Sequence, residues 1–344
     1  MIEDASNPYA GAIIHVENAP AIPGLTFRHF RGKSDYAPMA AVIAASAEMD
    51  KIERVDTAES IAEAYAHPGN CDLYRDMIFA EVDGQVIGFS RGRWWQERDG
   101  TIIYPLVGFL APAWRRKGIG RVMLRWMETR LRETAAGHES ERPKYFQIWV
   151  DQEATGLEAM LTAEGYTPAR YYFTMVRPSL DDIPDYPLPA GLEVRPVLPE
   201  HYRPIWEADI EAFRDHWGNG LPTEEDYREW LEDKTFFQPD LWRIAWDTET
   251  NEVVGQVKTF IYHAENEKFG RRRGYTEGIG VQRSWRRRGV ARALISLSLL
   301  AQKEQGMTES ALGVDSENTS GATRVYEDCG FRVVKRNALY RKAL

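Results

Sequence analysis

Along 225–233, EDYREWLED, apolar residues recur at helical spacing, and the period then shortens. LWRIAWD (241–247) and EVVGQVKTFIYH (252–263) alternate β-forming with polar positions and are separated by a turn-like TETN, which predicts two strands joined by a turn. YTEGIGV (275–281) predicts a third strand. After it, Val290, Leu294, Leu297 and Ala301 fall on one helical face, and SALGVD (310–315) predicts a further strand. A helix through GATRVYEDCG and a closing strand around FRVVKR complete the pattern. Strands and helices alternating in this way predict a mixed sheet flanked by helices, an α/β or α+β fold.

The same order occurs twice. GLTFRHF (24–30) resembles GLEVRPV (191–197), and VDGQVIGFS (82–90) resembles ETNEVVGQV (249–257), with Gly24 and Gly191, and Gly88 and Gly255, both 167 residues apart. Arg115 and Arg286 open two arginine-glycine stretches 171 residues apart, and AEGY (163–166) matches DCGF (328–331) at an offset of 165. Between the copies, RPSLDDIPDYPLPAGL (177–192) is rich in prolines, which cannot donate to a helix or a ladder, so it reads as a linker broken near Pro187. The expected organisation is an N-terminal extension (1–23), an N-terminal domain (24–178), a Pro-rich linker (179–190) and a C-terminal domain (191–344).

Length agrees: 344 residues suit two domains at roughly 150 residues each. The net charge of -9 argues against a general nucleic-acid binder. Cys71 and Cys329 are too few and too far apart to suggest a disulfide framework or a metal site, which points to a reducing cytoplasm. No apolar run reaches the length of about 18 residues that a membrane span needs, and the acidic N-terminus lacks a signal-peptide core.

The arginine-glycine stretches carry the candidate chemistry. In WRRRGVARAL (285–294) a strand runs through Arg286-Arg287-Arg288-Gly289-Val290-Ala291 into a helix. Helix N-terminal N–H groups lack intrahelical partners and favour an anion, small residues let a ligand approach the main chain, and the arginines add charge for a polyphosphate. The N-terminal copy is Arg115-Arg116-Lys117-Gly118-Ile119-Gly120. Neither stretch is GxxxxGK[ST] or GxGxxG, which argues against an NTPase loop or a dinucleotide fingerprint. Arg271 to Arg273 lie between expected strands and read as a solvated turn.

These residues resemble the Q/R-x-x-G-x-G/A signature of the GCN5-related N-acetyltransferases. VDSENTSGATRVYEDCGF (314–331) is similar to that family's second signature, and the tandem arrangement is similar to that of the mycothiol synthases, although no motif fixes that acceptor. The resemblance implies two tandem acyltransferase domains, with loop amides and Arg286, Arg287, Arg288, Gly289, Val290 and Ala291 holding the pyrophosphate of acetyl-CoA. It further implies that Val281 meets the acetyl carbonyl through its main chain, that Asn318 lies near the pantetheine arm, and that Tyr326 protonates the leaving thiolate. Glu277, four residues before Val281, is expected by strand alternation on the same face and is the candidate base, directly or through water. Several relatives carry their glutamate two residues earlier, at the position of Tyr275.

In the N-terminal copy, alignment on the repeats puts Leu161 at the Tyr326 position, Glu153 at Asn318 and Leu106 at Glu277. That half keeps Arg115, Lys117, Gly118 and Gly120 for a second phosphate loop and loses the chemistry. EAFRDHWGNG (211–220) places Asp215, His216 and Trp217 in an expected loop suited to a cationic amine. The resulting expectation is a metal-free, acetyl-CoA-dependent N-acetyltransferase of a small-molecule amine, with neither nucleic acid nor membrane as partner. The alternatives are a non-catalytic acyl-CoA-binding protein, an acetyltransferase of protein amines, or an RNA- or peptide-binding module.

Overall fold

The computed structural model describes residues 7–318 and 321–344. The acidic start and Thr319 and Ser320 of the second motif lie outside the described residues. In chain order the first half forms β1 (Leu25–Arg28), α1 (Tyr36–Asp50), α2 (Ala58–Ala66), β2 (Met77–Val82), β3 (Gln85–Gly92), β4 (Trp95–Gln96), β5 (Ile102–Leu110), α3 (Ile119–Ala135), β6 (Lys144–Val150), α4 (Thr155–Ala163) and β7 (Thr167–Arg177). The second half forms β8 (Leu192–Val194), α5 (Tyr202–Ala212), α6 (Glu224–Glu232), β9 (Arg243–Asp247), β10 (Val253–Phe260), α7 (His263–Phe269), β11 (Arg273–Val281), α8 (Val290–Glu304), β12 (Glu309–Asp315), α9 (Ala322–Asp328) and β13 (Arg332–Ala343). The duplication extends to single caps. Thr57 and Thr223 open α2 and α6, each accepting from the third residue beyond, Ser60 at 3.1 Å and Asp226 at 3.3 Å.

Two compact units result, Met1–Ala169 with Ala338–Leu344, and Arg170–Asn337. They depart from a linear division at 178 and 191. In the first unit the sheet runs β1-β2-β3-β5-β6 and is completed by the end of β13, where Ala338 pairs Val150 and Ala343 pairs Tyr145. In the second it runs β8-β9-β10-β11-β12 and is completed by β7, where Tyr172 pairs Asp315 and Arg177 pairs Ser310. Each unit therefore ends on the last strand of the other half of the sequence. The expected linker is not a free tether. It has no helix or strand, and Leu180, Ile183, Tyr186 and Leu188 pack into the core of the second unit.

In that unit helices cover both faces of the sheet. α8 buries Val290, Leu294, Ile295 and Leu299 against Val257, Leu312, Val314 and Phe331, each such aliphatic side chain contributing about 1.5–3 kcal/mol. The close approach is set by Gly255, where a Cβ would stand 2.8 Å from Val290 Cγ1. On the other face Ile205 of α5 packs with Trp242, Ile244 and Trp246. The first unit buries Met39, Val42 and Ile43 of α1 against Phe79 and Phe89 of its sheet. Among the described residues no helix is long and apolar enough to cross a membrane.

Two features open the sheet. β11 and β12 are parallel and paired only from Arg273–Glu309 to Tyr275–Ala311, after which they splay. β10 and β11 slip by one residue: Gln256 opposes Gly280 but Lys258 opposes Glu277, leaving Gly278 and Ile279 facing the single Val257. Gly278 makes this bulge at φ +57°, a left-handed conformation in which a side chain would also strike Lys258. The segment between β10 and β11 contains α7, which periodicity did not reveal. Arg271 there pairs with Glu265 and Arg273 with Glu309 at 2.7 Å, so two of the three arginines expected in a solvated turn are ion-paired.

Candidate functional site

The arginine-glycine loop of the second unit is a backbone cradle. Arg287 (φ +60°) and Gly289 (φ +92°) are both left-handed, and Gly289 caps α8 with no side chain closing its first amides. Nothing lies within 4 Å of a Cβ built at Gly289. A left-handed pair leading into a 15-residue helix turns successive N–H groups toward open space, an arrangement that fits a pyrophosphate. Val290 spends its side chain in the core, Ala291 is partly buried, and Arg287 and Arg288 are exposed, the latter 4.8 Å from the Trp285 ring.

Arg286 behaves differently. Its Nε donates to the Val281 carbonyl and its Nη2 to the Ala212 carbonyl, both at 3.1 Å, so the guanidinium ties the end of β11 to the end of α5. The first unit repeats the device. Arg115 Nε donates to the Leu110 carbonyl at 3.3 Å while its Nη atoms hold Asp50 and Ser46 at 2.6 Å each. Arg116 (φ +61°) and Gly118 (φ +87°) rebuild the left-handed pair, and Lys117 lies 4.5 Å from the Trp114 ring. Around Gly120 the space is bounded by Met160 and Leu110.

At the splay, Glu277 of β11 reaches across to β12, where its carboxylate accepts the Gly313 N–H at 2.7 Å. Burial pushes its carboxyl up to about 7, and the Gly313 bond only partly offsets this. Tyr326 of α9 is buried, and burial together with the negative charge of Glu277 raises its phenol well above the ordinary value. The pair thus comprises a carboxyl poised to exchange a proton near neutral pH and a phenol that stays protonated.

The expected shared face of Glu277 and Val281 is corrected by the bulge. Val281 pairs with Gly255, whose Cβ position faces α8, whereas Glu277 pairs with Lys258, which reaches Asp209 of α5 at 2.9 Å. Cross-strand partners share a face, and the extra residue inverts the alternation. Glu277 therefore lies on the α5 side with Lys258 and Gly280, and Val281 on the α8 side. The bulge also shifts the counterpart in the first unit. β5 pairs with β3 without slipping, and Arg91, three residues after Gly88 as Lys258 is after Gly255, opposes Val107 and not Leu106. At the position where relatives carry their glutamate, Tyr275 donates its hydroxyl to Glu265.

The other expected residues are placed as follows. Asn318 follows β12, its N–H donating to the Asp315 carbonyl at 3.1 Å. Asp215, His216 and Trp217 lie in the turn after α5. Asp215 is engaged by Arg283, so its charge is already matched. His216 packs edge-on to Phe213 with ring centroids 4.7 Å apart, and burial lowers its pKa. Trp217 lies 5.5 Å under Arg170, a β7 residue that also holds Asp315 at 2.8 Å. Arg170 and the Asp209–Lys258 pair escaped the sequence reading; Asp209 occupies a helix position with no motif around it, and Arg170 sits in the other repeat. In the first unit Leu161 is fully buried and Glu153 partly buried. Among the described residues no group of three or more His, Cys, Asp or Glu is placed to hold a metal ion.

The Acetyltransferase (GNAT) family profile matches residues 47–141 and 202–331. A mycothiol acetyltransferase from Geodermatophilus obscurus is 27% identical over 312 residues, covering 90% of this chain and 96% of that protein. Among solved structures, a GCN5-related N-acetyltransferase from Sphaerobacter thermophilus matches with a TM-score of 0.68 at 24% identity, covering 93% of this chain and 95% of the other. A tandem GNAT protein from the clavulanic acid biosynthesis pathway matches with a TM-score of 0.66 at 16% identity, over 93% and 98% of the two chains. These two likenesses are of fold.

Proposed function

The chain belongs to the acetyltransferase (GNAT) family as a tandem N-acetyltransferase, and on that premise we propose that it acetylates a primary amine of a small molecule, with the chemistry confined to the C-terminal half. The family's co-substrate, acetyl-CoA, supplies a thioester carbonyl activated toward amines. Backbone amides at Gly289, Val290 and Ala291, with Arg287 and Arg288, would hold its pyrophosphate, and Arg286 would act from behind by bracing β11. Asn318 would border its pantetheine arm, and Val281 would meet the acetyl oxygen through the main chain. Gly118 and Gly120, with Lys117, would form the second, non-catalytic cradle, braced from behind by Arg115.

A cationic amine must lose a proton before it attacks. Glu277 takes that proton, directly or through one water, at a pKa matched to neutral pH. As the carbon–nitrogen bond forms and the carbon–sulfur bond breaks, Tyr326 donates its phenolic proton to the departing thiolate, and the second proton shed by the nitrogen as the amide forms restores the phenol. The observation that carries this reading is that Glu277, held at the opening between β11 and β12 by the Gly313 N–H, is near enough for its charge to raise the Tyr326 phenol of α9. The Asp209–Lys258 pair lies on the same face of the sheet as Glu277, and Asp215, already paired with Arg283, His216 and the Trp217 ring would line the approach of the acceptor. The name of the Geodermatophilus relative directs the acceptor search to amino-sugar thiol conjugates, with polyamines as the contrasting class.

The test is thiol release from acetyl-CoA across a panel of primary amines, including the amine form of mycothiol, with a thermal-shift measurement alongside. Acetyl-CoA is expected to raise the melting temperature and one amine class to drive stoichiometric thiol release. A chain that binds acetyl-CoA yet acetylates no amine would overturn the reading.

A further inference from the structure

The first unit contains a cavity of about 320 Å³ between α1, α2 and the sheet, on the face where the second unit carries Glu277. Its floor is apolar, built from Met39, Ile43, Phe89 and Phe109, and its charged lining is Arg54, Arg91, Arg93 and Asp56. Three arginines face one aspartate. That aspartate is taken, since Asp56 accepts from Arg54 Nη2 at 2.8 Å.

Register explains how this charge arose. In the second unit Lys258 is neutralised by Asp209 and faces Glu277 across the ladder. In the first unit the matching cation is Arg91 and the matching residue across the ladder is Val107. The helix position of Asp209 corresponds to Ile43, because α1 and α5 begin at Tyr36 and Tyr202, and Arg115 and Arg286 brace against Ser46 and Ala212 in the same phase. Both carboxylates of the catalytic cleft have thus become aliphatic while the cation has been kept. Arg91 pairs with no carboxylate among the described residues. Its guanidinium lies 4.3 Å from the Tyr65 ring, and its Nη1 is buried without a hydrogen-bond partner there.

We propose that this cavity is a binding site for a small amphipathic organic anion, an aromatic or branched apolar body bearing one carboxylate or phosphate. The apolar floor takes the body, and the Arg91 fork, with Arg93 and Arg54 beside it, takes the charged group. The volume lies at the lower end of small-molecule sites, room for a one- or two-ring molecule. A guanidinium with a buried N–H that lacks an acceptor gains from such a ligand, because the desolvation of that N–H has already been incurred on folding. The site does not depend on acetyl transfer in the other half.

The experiment uses the full chain saturated with CoA, so that both phosphate cradles are occupied, titrated with phenylacetate, phenyl phosphate and neutral 2-phenylacetamide by calorimetry. At least one anion is expected to bind at one per chain in the millimolar range or tighter, and the amide at least about tenfold more weakly. Arg91→Met should weaken the anion about tenfold or more with the circular-dichroism spectrum and C-terminal turnover unchanged, and Arg91→Lys should recover part of the loss. Should Arg91→Met fail to fold, Val107→Glu supplies the second route, since a carboxylate opposite Arg91 should displace the anion. Which anion binds separates carboxylate from phosphate recognition. Absence of binding by either anion, equal binding of the amide, or affinity indifferent to both Arg91→Met and Val107→Glu would each overturn the proposal.

Discussion

Gly88 faces Leu110 in one unit as Gly255 faces Val281 in the other, yet three residues along Arg91 faces Val107 where Lys258 faces Glu277. At the strand ends the two units agree again, with left-handed Arg116 and Gly118 matching Arg287 and Gly289. The contrast shows which parts of such a site are robust. A phosphate cradle is made of main-chain amides at a helix start, so it survives wherever the glycine and the helix survive. In the proposed mechanism proton chemistry rests on single side chains and on one bulge residue, so a few substitutions would remove it. Both units also spend the signature's first arginine on the scaffold, joining a strand end to the preceding helix.

The largest effect expected from breaking this contrast is at Tyr326. Tyr326→Phe keeps the buried ring and removes the hydroxyl, so kcat should fall by about 10²–10⁴-fold when chemistry limits the rate, with acetyl-CoA affinity little changed. Leu161→Tyr in the first unit should create no activity, since Val107 and Glu153 remain. Rapid-quench kinetics of both variants check the pair.

Glu277 comes next. Turnover should rise with pH through about 7 as its carboxyl ionises, and Glu277→Gln should remove that limb of the kcat profile. Stability should move the opposite way. Because folding raises this pKa from the ordinary glutamate value to about 7, the native state binds more protons than the unfolded chain, and wild-type stability falls between about pH 4.3 and pH 7. Glu277→Gln, which can still accept from Gly313, should therefore be the more stable protein above pH 7, by about 4 kcal/mol at most, with the gain vanishing below pH 4.3. Urea titrations at two pH values read this directly.

The arginines divide by what they touch. Arg286→Ala should cost about 1.5–3 kcal/mol of stability through its two carbonyl bonds. Arg288→Ala should leave the melting temperature alone and weaken acetyl-CoA in a salt-dependent manner. The smallest difference in stability is between the glycines. Leucine at Gly118 or at Gly289 is held near φ +90° and costs about 1–2 kcal/mol in either unit. Only Gly289→Leu should abolish saturation by acetyl-CoA at the active half.

Much of this was legible in the sequence. Strands 243–247, 253–260, 273–281 and 309–315 and helix α8 followed from period and β-propensity, and both loops from arginine-glycine spacing. Local patterns could not show the exchange of β7 and β13 between units, because strand partners are chosen across more than a hundred residues. Gly278 was visible as a glycine inside a strand, a known bulge signal, but one glycine does not say which residues slip, and the slip decided the face of Glu277. Arg170 reaches Trp217 and Asp315 only through the exchanged strand. Asp215 sat in the expected turn, but its engagement by Arg283 needed coordinates.

The central claim, that one half of the duplicated chain does all the chemistry, is tested most directly by single-turnover acetylation with the double variant Tyr326→Phe, Glu277→Gln at pH 8. Wild type and variant would be saturated with acetyl-CoA and mixed with the best acceptor of the amine panel. Because the two residues act in one step their losses should not add, and the variant should react about as slowly as the weaker single variant, with no fast phase. A fast phase of up to one acetyl group per chain at a near wild-type rate would locate catalysis in the first unit and contradict the account.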